Sequence, residues 1–247
     1  MSNPYLDKFR GVQQDREAVY AEIYAGSHIR EEKKISKLPS KRRKGRIRLY
    51  KAIIGKGHEQ ILEVGCGSGD LTSGLAENAG RVIGTDVSAR NIELAGMRRA
   101  KVFRNTPGVG QVEFHRMGAT NIKYEDGTFD WVISTSLIEH LHPDDVQPHL
   151  LEMRRVLKPG GRYLVWAPNR LGHHKDRDFH LSMFFYGELT AQMKKAGFRR
   201  FYTTFLNFSW LVDAGLKISL ETCMAALRIQ IFWSHLGIRN ILLVAEK

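Results

Sequence analysis

Residues 61–69, Ile-Leu-Glu-Val-Gly-Cys-Gly-Ser-Gly, constrain the fold of this chain more than any other stretch. Ile61, Leu62 and Val64 form a short apolar run in which Glu63 is the one ionisable group, and the run passes directly into Gly65, Gly67 and Gly69. Glycine at alternate positions lets a backbone turn sharply, take positive φ and approach a ligand with no Cβ in the way. The pattern reads as a buried strand ending in a glycine turn. Leu71 and Leu75 follow one helical turn apart, so Leu71 to Asn78 is expected to be a helix whose first N–H groups face that turn. Arg81 to Thr85 reads as a second strand, closing on Asp86, which stands about twenty residues beyond Gly65, the spacing at which a βαβ crossover sets an acid against ribose hydroxyls.

A dinucleotide site is the rival reading. Its fingerprint places the third glycine one position later, where this chain has Asp70, and that acid would stand close to a pyrophosphate. The turn therefore favours a nucleoside ligand without phosphates.

Further ordered motifs narrow the field: Gly84-Thr85-Asp86-Val87-Ser88, Asp126-Gly127-Thr128-Phe129-Asp130, Ile138-Glu139-His140-Leu141, and Arg155-Val156-Leu157-Lys158-Pro159-Gly160-Gly161. Together with Leu62 to Gly69 they resemble the class I S-adenosylmethionine-dependent methyltransferases, most closely the broad type 11 small-molecule group, over roughly residues 60 to 205. The resemblance implies a Rossmann-like α/β fold with a seven-stranded, mostly parallel sheet, helices on both faces and an antiparallel last strand. It also implies the cofactor, S-adenosyl-L-methionine, with S-adenosyl-L-homocysteine as product. By the same resemblance Glu63 would help hold the methionyl ammonium, Gly65, Gly67 and Gly69 would form the turn beneath it, and Asp86 would accept from both ribose hydroxyls. Val87 would pack on adenine, the Ala119 backbone N–H would meet its ring, and Ser134 would offer a carbonyl to the ammonium. One departure stands out. Related proteins often carry Gly-Asp-Ala where this chain has Met117-Gly118-Ala119, so the acid that would read the adenine amino group is missing at Gly118.

The remaining segments fit an alternation of strands and helices, which predicts a parallel sheet covered on both faces. Phe129 to Ser134 reads as a central strand, and Asp144 to Val156 as a helix with Pro143 at its start. Pro159-Gly160-Gly161 reads as a tight turn into a strand from Arg162 to Trp166. Gly187 to Ala196 is expected as a helix closed by Gly197, with strands at Phe198 to Phe205 and Ile241 to Ala245.

The 247 residues suffice for one large core, with a division expected between an N-terminal helical and basic segment, residues 1–55, and a cofactor-binding domain, residues 56–247. In the first segment a helical pattern from Tyr5 to Tyr24 offers Tyr20 or Tyr24 as part of a cover over the cofactor, against the plainer reading of a helix covering the sheet. An apolar stretch at about 207–237 is expected as a helical insertion serving as substrate lid, homodimer contact, membrane-facing patch or simple core cover. No long uncharged apolar run and no signal-peptide core are visible, so a cytoplasmic protein is expected, peripheral membrane contact being left open. Cys66 and Cys223 read as unpaired thiols.

The net charge of +12 concentrates in residues 33–51. Such a run suits an anionic or lipid-linked acceptor, an anionic membrane, or nucleic acid, and it also suits a solvated helix face. Aromatic side chains that stack bases are sparse there, which weighs against single-stranded RNA. For chemistry, His140 lies just past the central strand, at the sheet edge where open α/β folds bind ligands, and an imidazole suits proton removal from a hydroxyl. The structural alternative is a residue that orders the loop. His173, His174 and His180 follow the fifth strand and are candidates for contacting the substrate; their spacing matches no standard metal pattern, so no metal is expected. The expected reaction is O-methylation of a sugar, glycolipid or other small metabolite. Methylation of nitrogen or carbon, an RNA acceptor, and a cofactor-binding protein without turnover are the alternatives. The Asn-Pro-Pro-Tyr tetrapeptide of many base amino-group methyltransferases is absent after the central strand, which continues Ser134-Thr135-Ser136-Leu137.

Overall fold

The computed structural model describes residues 4–12, 16–25, 38–105, 111–170, 180–204 and 240–247. Short helices α1 (Pro4–Asp7) and α2 (Arg16–Ala25) precede α3 (Lys41–Ile54), and the chain then alternates through β1 (His58–Val64), α4 (Asp70–Gly74), β2 (Ala79–Asp86), α5 (Ala89–Val102) and β3 (Gln111–Arg116). It continues with β4 (Phe129–Thr135), a 3₁₀ turn (Ile138–His140), α6 (Pro143–Val156), β5 (Leu157–Pro168), α7 (Tyr186–Lys195), β6 (Arg199–Thr204) and β7 (Asn240–Glu246). The seven strands form one sheet in the order β3-β2-β1-β4-β5-β7-β6. Neighbours are parallel except at β7, which runs antiparallel to both β5 and β6.

Alternation along the central strands sends successive side chains into two cores. Ile61, Trp131 and Ile133 join Leu49, Tyr50 and Ile54 of α3 on one face, while Leu62, Val64, Phe129 and Val132 join Leu150 and Met153 of α6 on the other. The second core also takes in Phe9 and Tyr20, so the N-terminal helices pack into the same interior as the sheet. β1 sits between β2 and β4 with Val64 in register with both Thr85 and Ser134. Their carboxyl ends therefore line up at the point where strand order reverses, the place an open α/β sheet offers to a ligand.

Local differences from the sequence reading have physical causes. The Tyr5–Tyr24 pattern resolves into two helices, α1 and α2. The helix after the glycine turn stops at Gly74 because the chain turns at once toward β2, with Asn78 N donating to Leu75 O at 2.8 Å. Pro159-Gly160-Gly161 lies inside β5, where a register shift against β4 absorbs Gly160 at φ +74°. The stretch 207–237, His173, His174 and Cys223 lie outside the described residues. Cys66 is free, and burial pushes its thiol well above the ordinary range. Among the described residues no helix is long and apolar enough to cross a membrane.

Part of the basic run holds the fold itself. Ser40 caps α3, Lys51 pairs with Glu77 at 2.7 Å, and Arg43 Nη1 donates to Asp70 Oδ2 at 2.7 Å. Asp70 also receives Arg98, at 2.9 Å from Nε. Lys41, Arg42, Lys44 and Arg48 remain exposed.

Candidate functional site

Two adjoining cavities of about 400 and 300 Å³ open over the carboxyl ends of β1, β2 and β4, sharing Gly65, Gly67 and Ser136 in their walls. The floor between them is the glycine turn. Gly65 and Cys66 both donate their N–H to Thr85 O, at 2.8 and 2.9 Å, and Gly67 N–H donates to Asp86 Oδ2 at 3.0 Å. The other Asp86 oxygen accepts from Ser88 N–H at 2.9 Å and Asn91 Nδ2 at 3.0 Å. One carboxylate thus fixes both the turn and the start of α5, and it faces the larger cavity.

The three glycines do different work. Gly67, at φ +53°, has open space where a Cβ would stand, so the cavity reaches the backbone there. Gly69 lines neither cavity. At φ +71° it caps α4, and a Cβ would fall 2.7 Å from Phe114 and 2.8 Å from Ala95. Its smallness lets α5 and β3 close on the turn. Gly69→Ala is expected to lower unfolding stability by about 2–4 kcal/mol, from the left-handed backbone and the overpacking together, as read by urea denaturation.

In the smaller cavity Glu63 is 3% exposed and accepts from Thr72 Oγ at 2.5 Å. Burial, helped by Asp70 and Asp86 and opposed by Thr72, raises its carboxyl to about 8. Facing it from α3 are Arg43 and Arg46, the latter with its guanidinium 4.9 Å over the Trp166 ring and its pKa lowered by burial. Both arginines disappeared into a charge run at the level of sequence. Their helical spacing with Tyr50, which is wholly buried, is the signal that this face of the run points inward.

The larger cavity is walled by Val87, Met117, Gly118 and Ala119 on one side and by Leu137, His140 and Leu141 on the other. Ser134 is not in either wall. It is wholly buried, its hydroxyl 2.5 Å from Tyr163 Oη, and Ser136, two residues on at φ +53°, takes the exposed place at the strand end. Ser134 instead closes a relay. His149 Nδ1 lies 2.9 Å from Ala119 O and Nε2 lies 3.0 Å from Tyr163 Oη. Burial presses His149 down to about 4, so the ring is neutral; Nδ1–H donates to the carbonyl and Nε2 accepts from the phenol. The relay pins the Ala119 backbone to the central strand.

His140 stands on the 3₁₀ turn beside Glu139, which is 2% exposed with Oε1 4.0 Å from His140 Nε2. Burial raises the Glu139 carboxyl to about 8, and its Oε2 has no hydrogen-bond partner among the described residues. The His180 ring lies 5.1 Å from that of His140, and Tyr24 packs edge-on at 5.8 Å. Ser182 fastens this group: its N–H donates to Glu139 O at 3.0 Å and its hydroxyl to Leu141 O at 2.7 Å. One atom from each of Glu139, His140 and His180 falls within 4.8 Å of the others, a spread that would also admit a divalent cation.

Helix α2 roofs the larger cavity with Arg16, Glu17, Tyr20 and Tyr24. Arg16 donates to Asp145 Oδ1 at 2.7 Å and Asp144 Oδ2 at 2.9 Å; Tyr20 Oη donates to Asp145 Oδ2 at 2.7 Å and accepts from His142 N–H at 2.6 Å. Tyr20 and Tyr24 both line this cavity from α2.

Residues 61–161 match the family model described as a methyltransferase domain. The chain carries a class I S-adenosylmethionine-dependent methyltransferase domain. It is 33% identical over 143 residues to a probable S-adenosylmethionine-dependent methyltransferase of Mycolicibacterium smegmatis, covering 56% of this chain and 51% of that protein. It is 36% identical over 110 residues to the ubiquinone/menaquinone biosynthesis C-methyltransferase UbiE of an Enterobacter species, covering 43% and 41%. The chain thus spans about half or less of the length of these relatives. A crystal structure of a Thermotoga maritima S-adenosylmethionine-dependent methyltransferase, a possible histamine N-methyltransferase, superposes with a TM-score of 0.58 at 19% identity over 92% of this chain and 99% of that one. The residues of the methyltransferase domain fit its cofactor. The uncovered Gly67 backbone gives a cradle that a Cβ would fill, Asp86 offers acceptors on the larger cavity, and Glu63 is a buried acid on the smaller one.

Proposed function

We propose that this protein transfers a methyl group from S-adenosylmethionine to a hydroxyl of a small acceptor, a sugar, glycolipid or other metabolite, with His140 as general base. The observation that carries the reading is an imidazole in the cavity wall, braced by Glu139, His180 and Tyr24.

The cofactor supplies an electrophilic methyl on sulfonium. Asp86 would hold the ribose hydroxyls, Glu63 the ammonium, Arg46 the methionyl carboxylate, Val87 the adenine face and the Ala119 backbone N–H the adenine edge. Holding acceptor and methyl in line provides most of the acceleration. The His140 imidazole would take the proton that the acceptor hydroxyl gives up as it is methylated. Tyr24 and the other α2 residues shield the reacting centre from water. The exposed Lys41, Arg42 and Lys44 at the start of α3 favour an anionic or lipid-linked acceptor.

With a hydroxyl acceptor, His140→Ala is expected to lower turnover about 100-fold or more, at unchanged cofactor affinity. Turnover within a few-fold of wild type would remove the base role. The assay carries a chelator arm, because loss of activity to a chelator and its return with magnesium or zinc would put a metal in place of the base. Transfer to carbon is the second reading, favoured by the similarity to the UbiE C-methyltransferase; there His140 would position the acceptor.

A further inference from the structure

We propose that Glu17, on helix α2, supplies the carboxylate that reads the exocyclic amino group of the cofactor's adenine, in the space left by the missing side chain at Gly118. The inference rests on the cofactor assignment above. A Cβ built on Gly118 would lie 2.6 Å from Glu17 Oε2, 2.8 Å from its Cδ and 3.2 Å from its Cγ. These are the three nearest atoms, and Gly118 is not in the left-handed region. The acid of α2 therefore occupies the place where an acidic side chain at 118 would begin, and the two exclude each other.

Three further observations give that placement a ligand-binding sense. Glu17 and Gly118 both line the larger cavity, beside Val87 and Ala119. The helix bearing Glu17 is fastened at the residue before it and one turn on, by Arg16 and Tyr20 bonded to Asp145. Among the described residues the Glu17 carboxylate has no hydrogen-bond or ion-pair partner, whereas the adjacent Arg16 is bound to both Asp144 and Asp145. A half-buried carboxylate on the cavity wall offers its acceptors to a donor bound in that cavity.

The donor it fits is an amino group on the ring edge. Adenine presents an N6 amino donor beside the N1 acceptor, which the Ala119 backbone N–H can meet; hypoxanthine presents a carbonyl oxygen and an N1–H donor instead. A carboxylate accepts from the first and repels the oxygen of the second. Glu17 thus acts as a specificity determinant carried about a hundred residues away from the position that the sequence shows to be empty.

The test is calorimetric titration of the full chain with S-adenosylhomocysteine and with its hypoxanthine analogue, S-inosylhomocysteine. Wild type is expected to prefer the adenine ligand by roughly 30-fold or more, and Glu17→Gln, whose amide can donate to the carbonyl, to lose about tenfold in adenine affinity and most of the preference. The double variant Glu17→Ala/Gly118→Asp is expected to recover the preference, because it returns the acid to the same space from the other chain segment. An unchanged adenine-to-hypoxanthine ratio in Glu17→Gln overturns the assignment, as does failure of the double variant, shown folded by its melting temperature, to exceed Glu17→Ala in that ratio. A wild type that binds neither ligand overturns the cofactor reading, and this one with it.

Discussion

Asp86→Ala is expected to abolish saturable binding of S-adenosylmethionine in a calorimetric titration, a loss of about 100-fold or more. The size follows from what the carboxylate does twice. Toward the ligand it would offer charged acceptors to two ribose hydroxyls, each worth about 1.5–3 kcal/mol in a site shielded from water. Toward the protein it holds Gly67 N–H at 3.0 Å, Ser88 N–H at 2.9 Å and Asn91 Nδ2 at 3.0 Å, so its loss also frees the glycine turn. Asp86→Asn is the milder change. The amide keeps the shape and one acceptor but turns its donor toward either the Gly67 N–H or the Ser88 N–H and Asn91 Nδ2. It should retain folding while losing most of the affinity. NAD, which has a pyrophosphate where the turn abuts Asp70, is expected not to bind the wild type. Near-normal affinity in a folded Asp86→Ala protein would remove the ribose role of this strand end.

The parts of this site that could be read in advance are those carried by contiguous backbone. A strand, a glycine turn and an acid at the end of the next strand are local patterns, and Glu63, Gly65, Gly67 and Asp86 lie where those patterns lead. Gly69 lines neither cavity, and positive φ looks the same in sequence whether the glycine faces a ligand or lets Phe114 and Ala95 close in. Ser134, read as offering its carbonyl, is not among the residues that line either cavity. Strand ends are set by pairing, and β4 stays paired with β5 through Thr135, which buries Ser134 and leaves Ser136 at the cavity. Arg46 was hidden among charges of the same sign. Glu17 carried no local signal, since its partner space at Gly118 is defined only once α2 folds over the sheet. His180 meets His140 through the Ser182 bonds to Glu139 and Leu141, contacts across about forty residues of chain that no periodicity records.

Cofactor affinity is expected to depend steeply on pH, and the cause is Glu63. Its folded carboxyl is raised from 4.5 to about 8, first by burial and then by Asp70 and Asp86, so the unliganded protein holds it neutral at pH 7. A carboxylate that pairs with an ammonium must ionise first. Affinity should therefore fall about tenfold per pH unit below 8, or roughly 100-fold between pH 8 and 6, until the cofactor's own amine begins to lose its charge on the alkaline side. At pH 7 binding should release close to one proton, visible as a dependence of the heat on the ionisation enthalpy of the buffer. Stability runs the other way. A raised carboxyl contributes stability that is present below its unfolded value of 4.5 and lost as pH rises through about 8, and Glu139, raised to the same region, adds to that loss. His149, depressed to about 4, is lost in the opposite direction, as pH falls below its ordinary 6.5. The unliganded protein should thus weaken toward pH 8 to 9, where the cofactor binds best, so the rise in melting temperature on adding cofactor should grow with pH. In Glu63→Gln the proton release and the slope below pH 8 should both vanish. A slope that survives in that variant would assign the linkage to another group, and a flat wild-type profile would mean that Glu63 does not meet the ammonium.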